Sequence, residues 1–210
     1  MLQSSSDSEQ AAWDLGYRRS GRKYGGAPPD LPSLLPGARV LEVGCGDGKS
    51  LLAMPGREWD IVATDFSREA IRISSVHQVL RNVGFIQADA RALPFRRESF
   101  DAVFLYHLLG HLPVRGRSLV ASETERILVP GGVVFLRVFS VQDFRNGRGD
   151  LIEPNTYLRG DGVLTHYFSK EEVESLFPGL ILTAIMKDEW SLKVRGVQLI
   201  RSEIVAHFRK

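Results

Sequence analysis

Apolar and polar residues alternate in short blocks along this chain. Mostly apolar runs recur at 39–43, 60–65, 83–88, 100–106 and 133–139, each bounded by Gly, Pro or charged residues. Runs of that length predict buried strands. Between them, apolar positions fall three or four apart, the spacing of one helix face. Residues 47–54 predict a short helix that Pro55 and Gly56 end. Ser67 predicts the N-cap of a helix over about 68–81, with Ala70, Ile71, Val79 and Leu80 turned inward. Pro113 opens a helix that runs to Leu128 and stops at Pro130, Gly131 and Gly132. Strands alternating with helices imply βαβ units and a largely parallel sheet, an α/β fold.

The rhythm breaks near both ends. Residues 1–10 are polar and serine-rich, and are expected to be a disordered tail. Residues 11–36 carry Trp13, Tyr17 and Tyr24 among several Gly and Pro, and predict a short helix followed by an irregular arm. The domain proper is expected over 37–210. It is interrupted at about 141–168, where Gly, Asn, Asp and Arg predict a long insertion loop. Ser169 and Glu172 form a capping box for a helix ending near Pro178. The last two strands, about 180–190 and 197–208, leave no room for a helix between them, so they are expected to be antiparallel neighbours.

Composition narrows the classes. At 210 residues the chain is long enough for one domain with a sizeable core. Its 27 Lys and Arg against 25 Asp and Glu leave a net charge of +2, which gives no global case for nucleic-acid or membrane binding. No apolar run approaches the roughly 20 residues of a bilayer span. Residues 1–7 lack the basic and apolar regions of a signal peptide, so a cytoplasmic location is expected. Cys45 is the single cysteine, which excludes an internal disulfide and a cysteine-rich metal site.

The chemistry concentrates at residues 40–48, an apolar run ending in Glu42 and then Gly44, Gly46 and Gly48 around Cys45 and Asp47. Glycines let a backbone turn sharply and approach a ligand closely. The dinucleotide pattern G-x-G-x-x-G would need a third glycine at 49, which is Lys49. Glu42 at the strand end suits a cation better than a pyrophosphate, which argues against a nicotinamide-dependent oxidoreductase. Asp65 ends the second strand nineteen residues after Gly46, a distance and place that suit a ribose diol. Asp89 ends the third strand, where a carboxylate can accept from an exocyclic amine. Three acids at three successive strand ends describe a site for a cationic adenosine derivative.

With these residues the chain resembles the class I, Rossmann-like S-adenosylmethionine-dependent methyltransferases. Residues 40–48 match that family's first motif, 61–65 the second and 86–90 the third; 99–103 and the Leu128-Val129-Pro130-Gly131-Gly132 turn match two further ones. The resemblance implies a doubly wound, seven-stranded, mostly parallel sheet with an antiparallel last strand. It also implies a cofactor, S-adenosyl-L-methionine, with S-adenosyl-L-homocysteine as product. Gly44, Cys45, Gly46 and Gly48 would back its methionine part and Glu42 its ammonium. Asp65 would take the ribose, Asp89 and Ala90 the adenine, Phe66 would pack on the ring, and Tyr106 would stand where cofactor and acceptor meet.

For the acceptor, Tyr106, His107 and His111 are the candidate general bases. The two histidines are four apart, with no acidic third ligand for a metal. The arm is expected to act as a lid, with Trp13, Tyr17 and Tyr24 as substrate-facing aromatics, and Tyr157, His166 and Tyr167 facing the pocket from the insertion. The fourth strand is followed by Tyr106-His107-Leu108-Leu109, not by the Asn/Asp-Pro-Pro-Tyr/Phe signature of amine-methylating nucleic-acid enzymes. Cys45 sits within the cofactor loop, a poor place for a nucleophile. A small-molecule acceptor is therefore expected and nucleic acid argued against. A protein side chain, or binding of the cofactor without catalysis, stands as the alternative.

Overall fold

The computed structural model describes residues 3–21 and 31–210. Helix α1 (Gln3–Ser20) is followed by β1 (Arg39–Val43), β2 (Asp60–Asp65), α2 (Arg68–Ser75), β3 (Gly84–Gln87) and β4 (Phe100–Tyr106). Then come α3 (Val114–Ile127), β5 (Leu128–Phe139), β6 (Asp150–Glu153), β7 (Thr156–Leu158) and β8 (Leu164–His166). The chain closes with α4 (Lys170–Glu174), β9 (Ile181–Val194) and β10 (Val197–Arg209).

Seven strands make one sheet in the order β3-β2-β1-β4-β5-β10-β9. The first five are parallel. β10 joins β5 antiparallel, and β9 closes the edge antiparallel to β10. This is the doubly wound sheet with an antiparallel last strand expected above. One face is covered by α3, whose Val120, Ala121 and Ile127 pack with Leu41, Val103, Leu105, Val134 and Leu136. The other holds Val40, Ala63, Phe104 and Phe135 under Leu51, Met54 and Leu80. Because β1, β2, β4 and β5 are parallel, their C-terminal ends open along one rim, the place where such sheets bind ligands.

Several elements differ from the sequence reading. The helix expected over 47–54 is a single 3-10 turn, Leu51–Ala53, squeezed between the glycine loop and Pro55-Gly56. The helix expected over 68–81 stops at Ser75, where two serines and Val76 weaken helix propensity, and a 3-10 turn Gln78–Leu80 follows. Ala70 and Leu80 are buried as expected, whereas Val79 is 60% exposed. Helix α1 runs back to Gln3, through residues read as a disordered tail. The long insertion is not a plain loop: β6, β7 and β8 form a three-stranded antiparallel sheet of their own. Its tight turn uses Asn155 at φ 56°, a left-handed conformation that asparagine tolerates.

Candidate active site

β1 delivers Val43 to the rim, and Gly44, Gly46 and Gly48 follow at φ of 76°, 55° and 81°. A Cβ on Gly44 would lie 2.9 Å from the Leu108 side chain, so only glycine fits there. Two acids brace this loop. Asp65 accepts the Gly46 N–H on one carboxylate oxygen and the Ser67 N–H on the other, both at 2.8 Å. Burial nevertheless pushes its pKa up to about 6, with Asp14 adding to the rise. Glu42 is 1% exposed. Its Oε1 accepts from the Ser50 hydroxyl, while its buried Oε2 has no hydrogen-bond partner among the described residues. Burial pushes Glu42 up to about 8, so it holds a proton at neutral pH. The Cys45 thiol is buried beside them, and burial raises its pKa too.

The third acid is held differently. Asp89 accepts from Arg91 through Nε and Nη2 at 2.9 and 2.8 Å, and Ala90 beside it is buried. The Arg91 guanidinium lies 5.9 Å from the Phe66 ring centre.

Helix α1 reaches across this rim. Its Glu9 pairs with Arg91 at 3.2 Å. Its Asp14 accepts from the Ser67 hydroxyl at 2.5 Å and the Glu69 N–H at 3.1 Å, so it caps α2 from outside. Trp13 stands edge-on to His111 at 5.0 Å and stacks near Tyr17, which is buried. Tyr24 lies outside the described residues.

At the end of β4 the candidate bases part company. Tyr106 is half-buried, with burial and Glu42 pushing its phenol up. His107 takes φ 59° and donates its N–H to the Arg137 carbonyl at 2.8 Å. Its ring stacks on Phe139, centroids 4.5 Å apart. Burial, then Arg137 and other nearby cations, pushes its pKa far down, so its ring stays neutral. His111 instead hydrogen-bonds the Leu164 carbonyl at 2.8 Å. The two histidines, four apart in sequence, do not share a helix face, because the chain turns left-handed at His107 between strand and 3-10 turn. His166 is buried between Thr156 at 2.7 Å and Glu172 at 2.9 Å, and Tyr167 is buried with its ring between those of Tyr157 and Phe139. Among the described residues no cluster of His, Cys, Asp and Glu could hold a metal ion.

Sequence reasoning missed a second group at this rim. Arg137 on β5 meets Glu203 on β10 at 3.1 Å and Asp188 on β9 at 3.4 Å. Asp143 binds Arg145 and Arg201. A signal was present: Arg137 and Glu203 are charges inside apolar strand runs.

Residues 41–136 match the family model described as "Methyltransferase domain". Over 193 residues the chain is 30% identical to the tRNA N(3)-cytidine methyltransferase METTL2 of Gallus gallus, covering 86% of this chain and 51% of that protein. It is 28% identical over 184 residues to the tRNA N(3)-cytidine methyltransferase METTL2B of Homo sapiens, covering 81% and 48%. The chain thus spans about half the length of these curated relatives. Among solved structures, a SAM-dependent methyltransferase from Methanosarcina mazei superposes with a TM-score of 0.72 at 23% identity, over 87% of this chain and 99% of that one. These relatives correct one expectation. The small-molecule acceptor, and the argument against nucleic acid, rested on net charge and a missing amine-methylase signature, whereas the matched enzymes are named for a tRNA base.

Proposed function

We propose that this chain, a class I S-adenosylmethionine-dependent methyltransferase, methylates RNA at the N3 nitrogen of a cytidine and does so in the cytoplasm. The observation that carries this reading is the similarity to tRNA N(3)-cytidine methyltransferases along 86% of the chain. Among the described residues no helix is long and apolar enough to cross a membrane.

The rim fits the cofactor. A buried Glu42 with an unpartnered oxygen suits an ammonium, whose charge would favour the carboxylate so that the proton leaves to solvent while an ammonium N–H satisfies that oxygen. Asp65 keeps lone pairs free for a ribose diol while it orders the loop from Gly44 to Gly48. The adenine would lie by Asp89, Ala90 and Phe66, with Arg91 fixing the Asp89 carboxylate. When bound, S-adenosylmethionine supplies a methyl group already activated on a sulfonium. The protein's share is alignment and exclusion of water.

Cytosine N3 carries an in-plane lone pair, so its attack requires no prior loss of a proton. This matches a site whose His107 is held neutral and whose Tyr106 phenol is pushed up. No general base is required of either side chain. N3 also lies on the pairing edge of the base, so the target must be unpaired or turned out of its stack to reach the rim. Helix α1, anchored over Asp65 through Ser67 and over Asp89 through Arg91, covers the cofactor side and puts Trp13 at the acceptor side.

Incubation of the protein with labelled S-adenosylmethionine and unmodified tRNA transcripts, followed by nucleoside mass spectrometry, tests this. The expected product is 3-methylcytidine. Turnover of the cofactor with no label in RNA, or label on another nucleoside, would overturn the reading.

A further inference from the structure

The cofactor side makes no use of the charged residues gathered around Phe139. The Asp143 carboxylate, fully buried, takes Arg145 Nε on one oxygen at 2.9 Å and Arg201 Nε on the other at 2.6 Å. This places both guanidiniums over the Phe139 ring, 4.1 and 4.9 Å from its centre. His107 stacks on the same ring, and Arg137 lies two residues before it on β5. Here three buried polar nitrogens have no hydrogen-bond partner among the described residues: Arg145 Nη2, Arg137 Nε and His107 Nδ1. Folded proteins leave few such groups unmet. Two of these three belong to permanent cations, which favour an anionic, oxygen-rich ligand. Asp143, Glu203 and Asp188 balance the local charge, so recognition would rest on directed donors instead of a broad field.

We propose that Arg145, Arg137 and His107 form a phosphodiester subsite beside the methyl-transfer centre, which holds the phosphate of the target nucleotide. The inference rests on the RNA reading above and adds to it the group that grips the strand. Phosphate contacts fix register and orientation without reading sequence, leaving the base free to enter the rim.

The test is calorimetric titration of the protein, loaded with S-adenosylhomocysteine, against CMP, cytidine and inorganic phosphate. CMP is expected to bind about tenfold tighter than cytidine, about 1.4 kcal/mol. Arg145→Gln is expected to erase that preference while leaving S-adenosylhomocysteine affinity unchanged, with a lowered Tm because the buried Asp143 keeps only Arg201 as a charged partner. Arg145→Lys, which keeps the charge but loses the fork, is expected to retain only part of it, and it serves as the readout if the Gln variant does not fold. Equal binding of CMP and cytidine, no CMP binding, or a preference that survives both substitutions would overturn the subsite. Inorganic phosphate binding as tightly as CMP would also overturn it, because the site would then serve a free anion. A protein that methylates tRNA without a CMP preference loses only the subsite. One that prefers CMP but methylates no RNA keeps the subsite and loses the reading above.

Discussion

Glu42, in the role proposed for it, would tie cofactor binding to pH. In the free protein its pKa stands at about 8, against 4.5 for an ordinary glutamate. The folded state therefore keeps a proton that the unfolded chain has shed between those values, and stability falls as pH rises through that window. A cofactor ammonium beside the carboxylate reverses the preference. Binding should then release a proton at pH 7, and affinity should rise with pH until it levels off above about 8. Calorimetry in buffers of different ionisation enthalpy measures the released proton, and Glu42→Gln should remove both the release and the slope. Asp65 has a second duty besides any ribose contact, since it holds the Gly46 and Ser67 amides. Asp65→Ala should weaken cofactor binding by about 1–3 kcal/mol, the cost of losing a buried hydrogen-bonding partner. An unchanged Kd would remove Asp65 from the cofactor site.

Helix α1 acts at the scale of the element, because two of its acids reach the rim acids through one intermediary each. Glu9 meets Arg91, which holds Asp89, and Asp14 meets Ser67, whose amide binds Asp65. Half-exposed ion pairs contribute about 0.2–1 kcal/mol. A carboxylate at a helix N-terminus adds a similar amount. Deleting residues 1–21 should therefore weaken cofactor affinity up to about tenfold and lower turnover further, through loss of Trp13, while the sheet stays folded. Circular dichroism with paired cofactor and RNA kinetics checks this, and unaltered kinetics would end the lid idea. The aromatics of the arm suggested a lid and a short helix, but not a helix reaching back to Gln3 or what anchors it. Residues 1–10 are polar, and only a long-range cap such as Asp14 to Ser67, 53 residues apart, reveals what holds α1 in place. The sheet strands were legible because each is an apolar run with glycine or acid at its end. The small sheet in the insertion was not, since its three- and four-residue strands are too short to set up a period.

At the scale of the whole molecule, a net charge of +2 conceals local order. The arginines of the acceptor rim are matched by acids: Arg137 by Glu203 of β10, 66 residues away, and Arg145 and Arg201 by Asp143. A sum over the sequence cancels them, and only the register of β10 on β5 brings Arg137 to Glu203. That is why the glycine loop and the acid bracing it were readable from local motifs and this arginine cluster was not. It also sets how RNA affinity must respond to salt. Each phosphate neutralised on a single strand contributes about −0.7 to the slope of log K against log salt. A protein with no broad basic field, gripping one phosphate through Arg137, Arg145 and His107, should give a slope of about −0.7. A field-driven binder with ten contacts would give about −7. Arg145→Gln should make the slope shallower by about one phosphate's share, with little change in which sequence is preferred. Filter binding of a tRNA transcript across a salt series measures this directly. A steep slope in the parent, untouched by Arg145→Gln, would place the RNA on surfaces other than this rim.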